Sequence, residues 1–503
     1  MLRAGIQALS NLVTGNETSK DHIWESFLEH ETDPSLHLLC TLAAIEDEAI
    51  VFGTVMFCFN CIFESKERSA LLLSTPAGCV LLRQLAIVSQ ETCNKENRQS
   101  FEMIYKLFDH LINFDLTRTI LGALRQSPKK STDAENNQPT QPPTDSDMPS
   151  GPGSEGVEET NDTNTADSAQ RDPKSENHLP LSSEQVTFLK MLDSRIYVWH
   201  EKQQRLWNQL SKVDPSSAEA TTLRSGLEPT LSLETVGFLT DTFGSISKLT
   251  IDVLKTLTLP GVGKRSVEDL SNLSTGVLLL LGCFSHLSQF EDGVGGHSDA
   301  VPGDESASAK DSNPDGQPLT LNNDTIKTTV PPWFTAQHKA MVEHNLVENA
   351  IELLRQADLS LARVVDPVPN ANSPAPLGAN SDSTLLSNTS TEQGQQMFFK
   401  GLKRDIVRVV GNMSHRSRNV QDRIRGCNGL IVMLNQCNID DSNPYLREHA
   451  ILALKNILAG NLENQAIIQE LEPIDAVDHP VLREAKVSAQ LDMETGKPVL
   501  KKI

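Results

Sequence analysis

Met56, Cys58 and Cys61 stand at the M-x-C-x-x-C spacing in which a thioether and two soft thiolates can hold a soft copper(I) ion. Their flanks argue against that chemistry. Phe57, Phe59, Ile62 and Phe63 make the stretch an apolar helix in which cysteine is a small hydrophobe, whereas copper-carrying cysteines sit on an exposed loop and helix start. Leu259-Pro-Gly-Val-Gly-Lys-Arg-Ser266 has the form of a DNA-binding helix-hairpin-helix turn, whose backbone amides and nearby cations meet phosphate. A single copy, in a chain with 44 basic against 66 acidic residues and a net charge of -22, gathers too few cations for that task. The stretch reads instead as a Pro/Gly turn between helices. It is no P-loop, because Thr258 occupies the first glycine position and Arg265 follows Lys264. The 13 histidines form no H-E-x-x-H, and no serine or cysteine lies in a nucleophile motif. The expectation is a protein without catalysis, metal or cofactor. Copper handling through Met56, Cys58 and Cys61, and nucleic-acid binding through residues 259–266, stand as its alternatives.

One local charge feature survives this sorting. Lys400, Lys403, Arg404, Arg408, Arg416, Arg418, Arg423 and Arg425 face only Asp405 and Asp422 within a short stretch, and Arg404 and Arg408 share a helix face one turn apart. A solvated surface explains such a run. A site for an acidic partner explains it equally in kind, with Lys400, Arg404, Arg408, Asn412, Arg416 and Arg418 as its contacts and the chain's own acidic stretch 131–180 as one candidate.

The elements that position these residues are helices. Ala8-Leu-Ser-Asn-Leu-Val-Thr-Gly-Asn16 and Ala453-Leu-Lys-Asn-Ile-Leu-Ala-Gly-Asn461 are two copies of one phrase, and weaker copies surround Asn60, Cys283 and Asn412. Their separations match the roughly 40 to 47 residues of armadillo or HEAT units, which bury their apolar faces only by stacking. The fold class is therefore expected to be all-α, an armadillo/HEAT-like superhelix interrupted by disordered acidic insertions. Repeats are expected over 1–125, 182–290 and 394–471, with one long helical stretch over 331–365. Polar, Pro- and Gly-rich stretches at 126–181, 291–330 and 366–393 bury too little to order themselves. The tail, 472–503, predicts a small hairpin from Val487–Asp492 and Lys497–Leu500. Ser182 and Gln185 have capping-box spacing before a helix whose leucines could pair with another chain or pack within the array. Eight cysteines, several in apolar helices, fit reduced thiols, and no apolar run reaches the roughly 20 residues of a bilayer span. Residue 1 falls almost directly on a repeat helix without a cap, which leads us to expect sequence before it.

The C-terminal residues carry a more specific signal. Phe399-Lys-Gly-Leu-Lys-Arg-Asp-Ile-Val-Arg-Val-Val-Gly-Asn412, Asn438-Ile-Asp-Asp-Ser-Asn-Pro-Tyr-Leu-Arg-Glu-His-Ala-Ile451 and Leu491-Asp-Met-Glu-Thr-Gly-Lys-Pro-Val-Leu500 resemble the C-terminal domain of the ataxin-10 family over roughly 396–502. The size of the insertions is more like that of fungal or protist members. By its types, Asn443 should cap a helix starting at Pro444, with Asp440 and Asp441 near the positive dipole end and Arg447 and Glu448 in the first turns. With Asn456, these residues are read mainly as structural. The resemblance implies an armadillo-like fold, no catalysis, a cytoplasmic location, and action on protein partners in cytokinesis. Partners are expected to be proteins, with self-association left open and neither nucleic acid nor membrane insertion expected. The nuclear-import armadillo proteins use a tryptophan four residues before each asparagine; here Gln7, Met56, Arg408 and Leu452 fill that place, so the asparagines are expected to serve hydrogen bonding within the protein.

Overall fold

The computed structural model describes residues 1–29, 37–94, 99–125, 181–214, 216–257, 266–289, 331–363, 397–440, 443–471, 486–492 and 498–502. The insertions expected over 126–181, 291–330 and 366–393, and the turn at 259–265, lie outside these, apart from single residues at their edges. In chain order the helices are α1 (Leu2–Val13), α2 (Glu17–Glu29), α3 (Leu38–Ala43), α4 (Glu48–Ile62), α5 (Lys66–Ser74), α6 (Pro76–Thr92), α7 (Gln99–Asn113), α8 (Thr117–Ala123), α9 (Ser183–Leu210) and α10 (Ala218–Ser225). They continue as α11 (Leu233–Leu257), α12 (Val267–Leu287), α13 (Pro332–Glu343), α14 (Leu346–Ser360), α15 (Leu402–Ser414), α16 (Arg418–Gly426), α17 (Gly429–Asn435), α18 (Leu446–Leu458) and α19 (Leu462–Gln469). Among the described residues the protein is all-α apart from one antiparallel hairpin, β1 (Val487–Leu491) with β2 (Pro498–Lys502), in which Val487 pairs with Lys502 and Leu491 with Pro498. That hairpin is the one its sequence predicts.

Helix starts follow from local chemistry. Ser182 accepts from the Gln185 amide at 3.2 Å while the Gln185 side chain accepts from the Ser182 amide at 3.0 Å, so the expected capping box opens α9. Asp47 caps α4 through the amides of Ala49 and Ile50, and Ser266 caps α12 through that of Asp269. Two expectations fail at helix starts. Residues 332–360 form two helices, because Asn345 takes a left-handed backbone (φ 59°) that ends α13 and opens α14. Nor does Asn443 cap a helix at Pro444: α18 begins at Leu446 behind a left-handed Tyr445 (φ 65°), and no side chain caps it. Asn443 and Pro444 make the preceding turn, in which the Leu446 amide bonds the Asn443 carbonyl at 3.0 Å.

Packing arranges the helices in rows. One row runs α1, α4, α7, α9, α12, α15, α18, each helix against the next, and a second runs α2, α5, α8, α11, α14, α17. Sequence neighbours thus contribute to different rows and neighbours within a row come from successive units, as repeat stacking requires. Aromatic side chains join units and rows: Phe108 of α7 meets Phe188 of α9 with ring centroids 5.7 Å apart, and Phe284 of α12 meets Phe243 of α11 at the same distance. The stripe on α9 packs within the array, where Leu189, Leu192 and Ile196 are buried. Its polar interruption, Gln203, is buried too and bonds the Gly226 carbonyl and the Glu228 amide. α12 has the length and apolarity of a membrane span, yet most of it is buried against α9, α11 and α15.

Candidate interaction surface

Every joint of the first row is tied by a polar side chain reaching from the later helix to the earlier one. Asn60 of α4 donates to Ser10 Oγ at 3.0 Å and Thr14 Oγ1 at 3.2 Å. His110 of α7 meets the Ile62 carbonyl at 3.2 Å, and since a carbonyl only accepts, Nε2 carries the proton. Arg195 of α9 grips the Asp109 carboxylate and Asn113 of α7, and Cys283 of α12 interacts with Asp193 of α9. Asn412 of α15 donates to the Ser285 carbonyl at 3.2 Å, and Asn456 of α18 to the Gly411 carbonyl at 3.0 Å. The repeated asparagines thus hold one helix to the next, as their sequence setting predicts. His110 and Arg195 belong to the same series and were missed, because they share its position in space without its residue type. Asn11, on the first helix of the row, accepts only from Gln7 within its own helix at 3.1 Å.

These ties act across close helix contacts, so their loss should be measurable. A Cβ placed on Gly411 would lie 2.8 Å from the Ala453 Cβ, which shows how near α15 and α18 approach. Asn456→Ala removes a donor from that contact and leaves a carbonyl unpaired; the expected loss is about 1 kcal/mol, read as a lower urea midpoint at unchanged m-value. An unchanged midpoint would remove the tie from the account of the row.

The cationic stretch is divided by the fold. Lys403 does not reach the surface: its side chain is fully buried and its Nζ donates to the Leu361 carbonyl at 3.0 Å, with Asp358 at 3.5 Å and Asp440 at 3.7 Å. Asp440, placed beside a helix start by the sequence reading, is instead buried next to this lysine. Burial depresses the lysine's pKa and the two carboxylates oppose that shift. Arg423 pairs with Glu348 at 2.7 Å, stitching α16 to α14. Arg418 and Arg425 both pair with Asp422 and Glu463, and Arg418 also donates to the Gly460 carbonyl at 3.2 Å. Arg404 holds Asp405 with two bonds of 2.8 and 3.0 Å, which raises its own pKa further. Lys400, Arg416, Arg447 and Glu448 are exposed. The structure therefore brings Arg404, Arg408 and Asn412 together on α15, while Lys403 is buried and Arg423 and Arg425 are half-buried in ion pairs between helices.

Met56, Cys58 and Cys61 lie on α4, with both thiols fully buried. Burial raises both thiol pKa values, that of Cys61 to about 12, so neither is a thiolate at neutral pH. Among the described residues no three His, Cys, Asp or Glu side chains gather as a metal centre requires.

Several histidines, three of them on first-row helices and His338 on α13, are held below the ordinary imidazole range. Burial is the first cause for His110, His286, His338 and His449. His200 and Arg408 add to it for His286, which falls to about 4. A depressed histidine is neutral when folded, so below the ordinary value of 6.5 the unfolded chain binds more protons and stability falls. The thermal midpoint should be lower at pH 5 than at pH 7, and His286→Asn should narrow the difference. Equal midpoints would contradict the sign.

The C-terminal part of this surface is where the chain matches known proteins. The profile of the spinocerebellar ataxia type 10 protein domain matches residues 402–501, from the start of α15 through the hairpin. Over these residues the chain is similar to the ataxin-10 family. An ataxin-10 homolog of Kluyveromyces lactis is 39% identical over 19% of this chain and 18% of its own length, and one of Dictyostelium discoideum 40% identical over 14% and 12%. Human ataxin-10 is 32% identical over 20% of this chain and 21% of its own. The matches span only about a fifth or less of each of these relatives. The matched residues thus include the last two helices of the first row, the buried Lys403 and the Asn412 and Asn456 ties.

Proposed function

We propose that the chain is a non-catalytic scaffold, an armadillo-like superhelix that binds protein partners along its first row of helices, in the cytoplasm and in the service of cytokinesis. One observation carries the reading: seven helices from successive units lie side by side, each tied to the one before. Such a row presents one residue set per unit to an extended segment, which is how stacked repeats recognise partners. The similarity of residues 402–501 to the ataxin-10 family supports the assignment to cell division. The cysteines of α4, buried as thiols, favour it over copper handling.

Affinity capture with the full chain tests the scaffold, comparing wild type with Arg404→Glu/Arg408→Glu and reading retained proteins by mass spectrometry. Proteins retained by the wild type and lost from the variant are expected. Depletion in cells should produce multinucleate cells, with the tagged chain in the cytoplasm. Normal division, or a failure to retain any protein, would overturn the proposal.

A further inference from the structure

Arg408 differs from its neighbours in what its guanidinium has to hold. Arg404, Arg423 and Arg425 each donate to a carboxylate at 2.8 Å or less. The Nε of Arg408 is buried with no hydrogen-bond partner among the described residues. Its Nη2 lies 3.9 Å from Asp405 Oδ1, an oxygen that already accepts from Arg404. The side chain is 34% exposed, so the group is reachable from outside and only partly hydrated. The Nε in that position has lost water and gained no acceptor, which costs free energy until an anion arrives.

Its surroundings point to the sign of the missing partner. Arg408 sits in the first row with α12 on one side and α18 on the other, close enough to act electrostatically on His286 of α12 and His449 of α18. Asp193 of α9 also feels it, and its Oδ1 is buried with no hydrogen-bond partner among the described residues; burial raises its pKa, which favours the neutral acid. The Asn412 tie to Ser285 holds α15 on α12 and so fixes where the guanidinium stands. Tyr197 of α9, half exposed and edge-on to His286 at 5.3 Å, adds an aromatic surface beside it.

We propose that Arg408 is the contact at which this surface takes an anionic side chain, a carboxylate or a phosphate, from a bound protein segment. The inference rests on the scaffold reading and specifies its partner as acidic at one position.

Fluorescence anisotropy with the full chain tests it, using short peptides that carry glutamate or phosphoserine at the same positions, with an asparagine version as the uncharged control. Both acidic peptides should bind, the phosphoserine one more tightly because it carries more charge. Arg408→Gln should weaken them by about tenfold or more, as the loss of a charged hydrogen bond does. Lys190→Gln and Lys455→Gln, which remove the same charge from exposed positions on α9 and α18, should change binding by less than about twofold. Circular dichroism and melting of Arg408→Gln should match wild type, which separates lost contact from lost fold. Equal losses in all three variants would mean summed charge and overturn the proposal, as would indifference to Arg408→Gln or equal binding of the asparagine peptide. A protein captured by the chain and unaffected by Arg408→Gln would overturn this contact while leaving the scaffold standing. If the chain captures no protein, the scaffold reading falls instead.

Discussion

Lys403→Ala should destabilise the C-terminal half of the array by about 3–5 kcal/mol, the range observed when one partner of a buried ion pair is removed. The lysine is fully enclosed, donates to the Leu361 carbonyl and is paired with the carboxylates of Asp358 and Asp440. Taking it away leaves the Asp440 carboxylate, whose side chain has no solvent exposure, without its countercharge. It also frees the end of α14, since Asp358 and Arg363 form a second pair at 3.0 Å that anchors to the Asn435 carbonyl at 2.8 Å. In a stacked array the loss is felt first by nearest neighbours. Calorimetry should show an early transition, and hydrogen exchange should accelerate in α14, α15 and α17 before α4 or α7. Adding Asp440→Asn should recover part of the loss, because the uncompensated charge is its cause. A Lys403→Ala protein that melts like wild type would show that water reaches this site.

Phe284→Ala should cost about 3–5 kcal/mol, the usual penalty for emptying a large aromatic site in a core. Phe284 is fully buried on α12, in the middle of the first row, and meets Phe243 of the second row edge-on. The cavity would open between rows, where α11 and α12 cannot both shift without breaking their contacts to α14, α9 and α15. The substitution therefore tests whether the rows melt as one body. A single lowered transition is expected, and separate N- and C-terminal transitions would show that α12 is a weak joint. Phe284→Leu should recover most of the loss, since it restores much of the volume.

Much of this architecture could be read from residue order. Helix periodicity, the capping pair Ser182 and Gln185, and the recurring asparagine phrase are local signals, and local signals survive because caps and apolar faces are set by residues within a turn or two of each other. The hairpin at 487–502 was legible for the same reason. The C-terminal resemblance was legible because it lies in one contiguous stretch.

What the residues determined by themselves was the all-helical class, the repeated unit and the asparagines' place in it. Only the tertiary structure decided which charges face outward. A run of eight cations looks uniform in one dimension, yet packing buries Lys403, assigns Arg423 and Arg425 to carboxylates up to 75 positions away, and leaves the Arg408 Nε without an acceptor among the described residues. His110 and Arg195 joined the asparagine series by the same route, and α18 began two residues late because Tyr445 turned left-handed ahead of it. The physical reason is common to all three. Whether a polar group is satisfied depends on partners brought in from other helices, and no spacing rule within one helix encodes them.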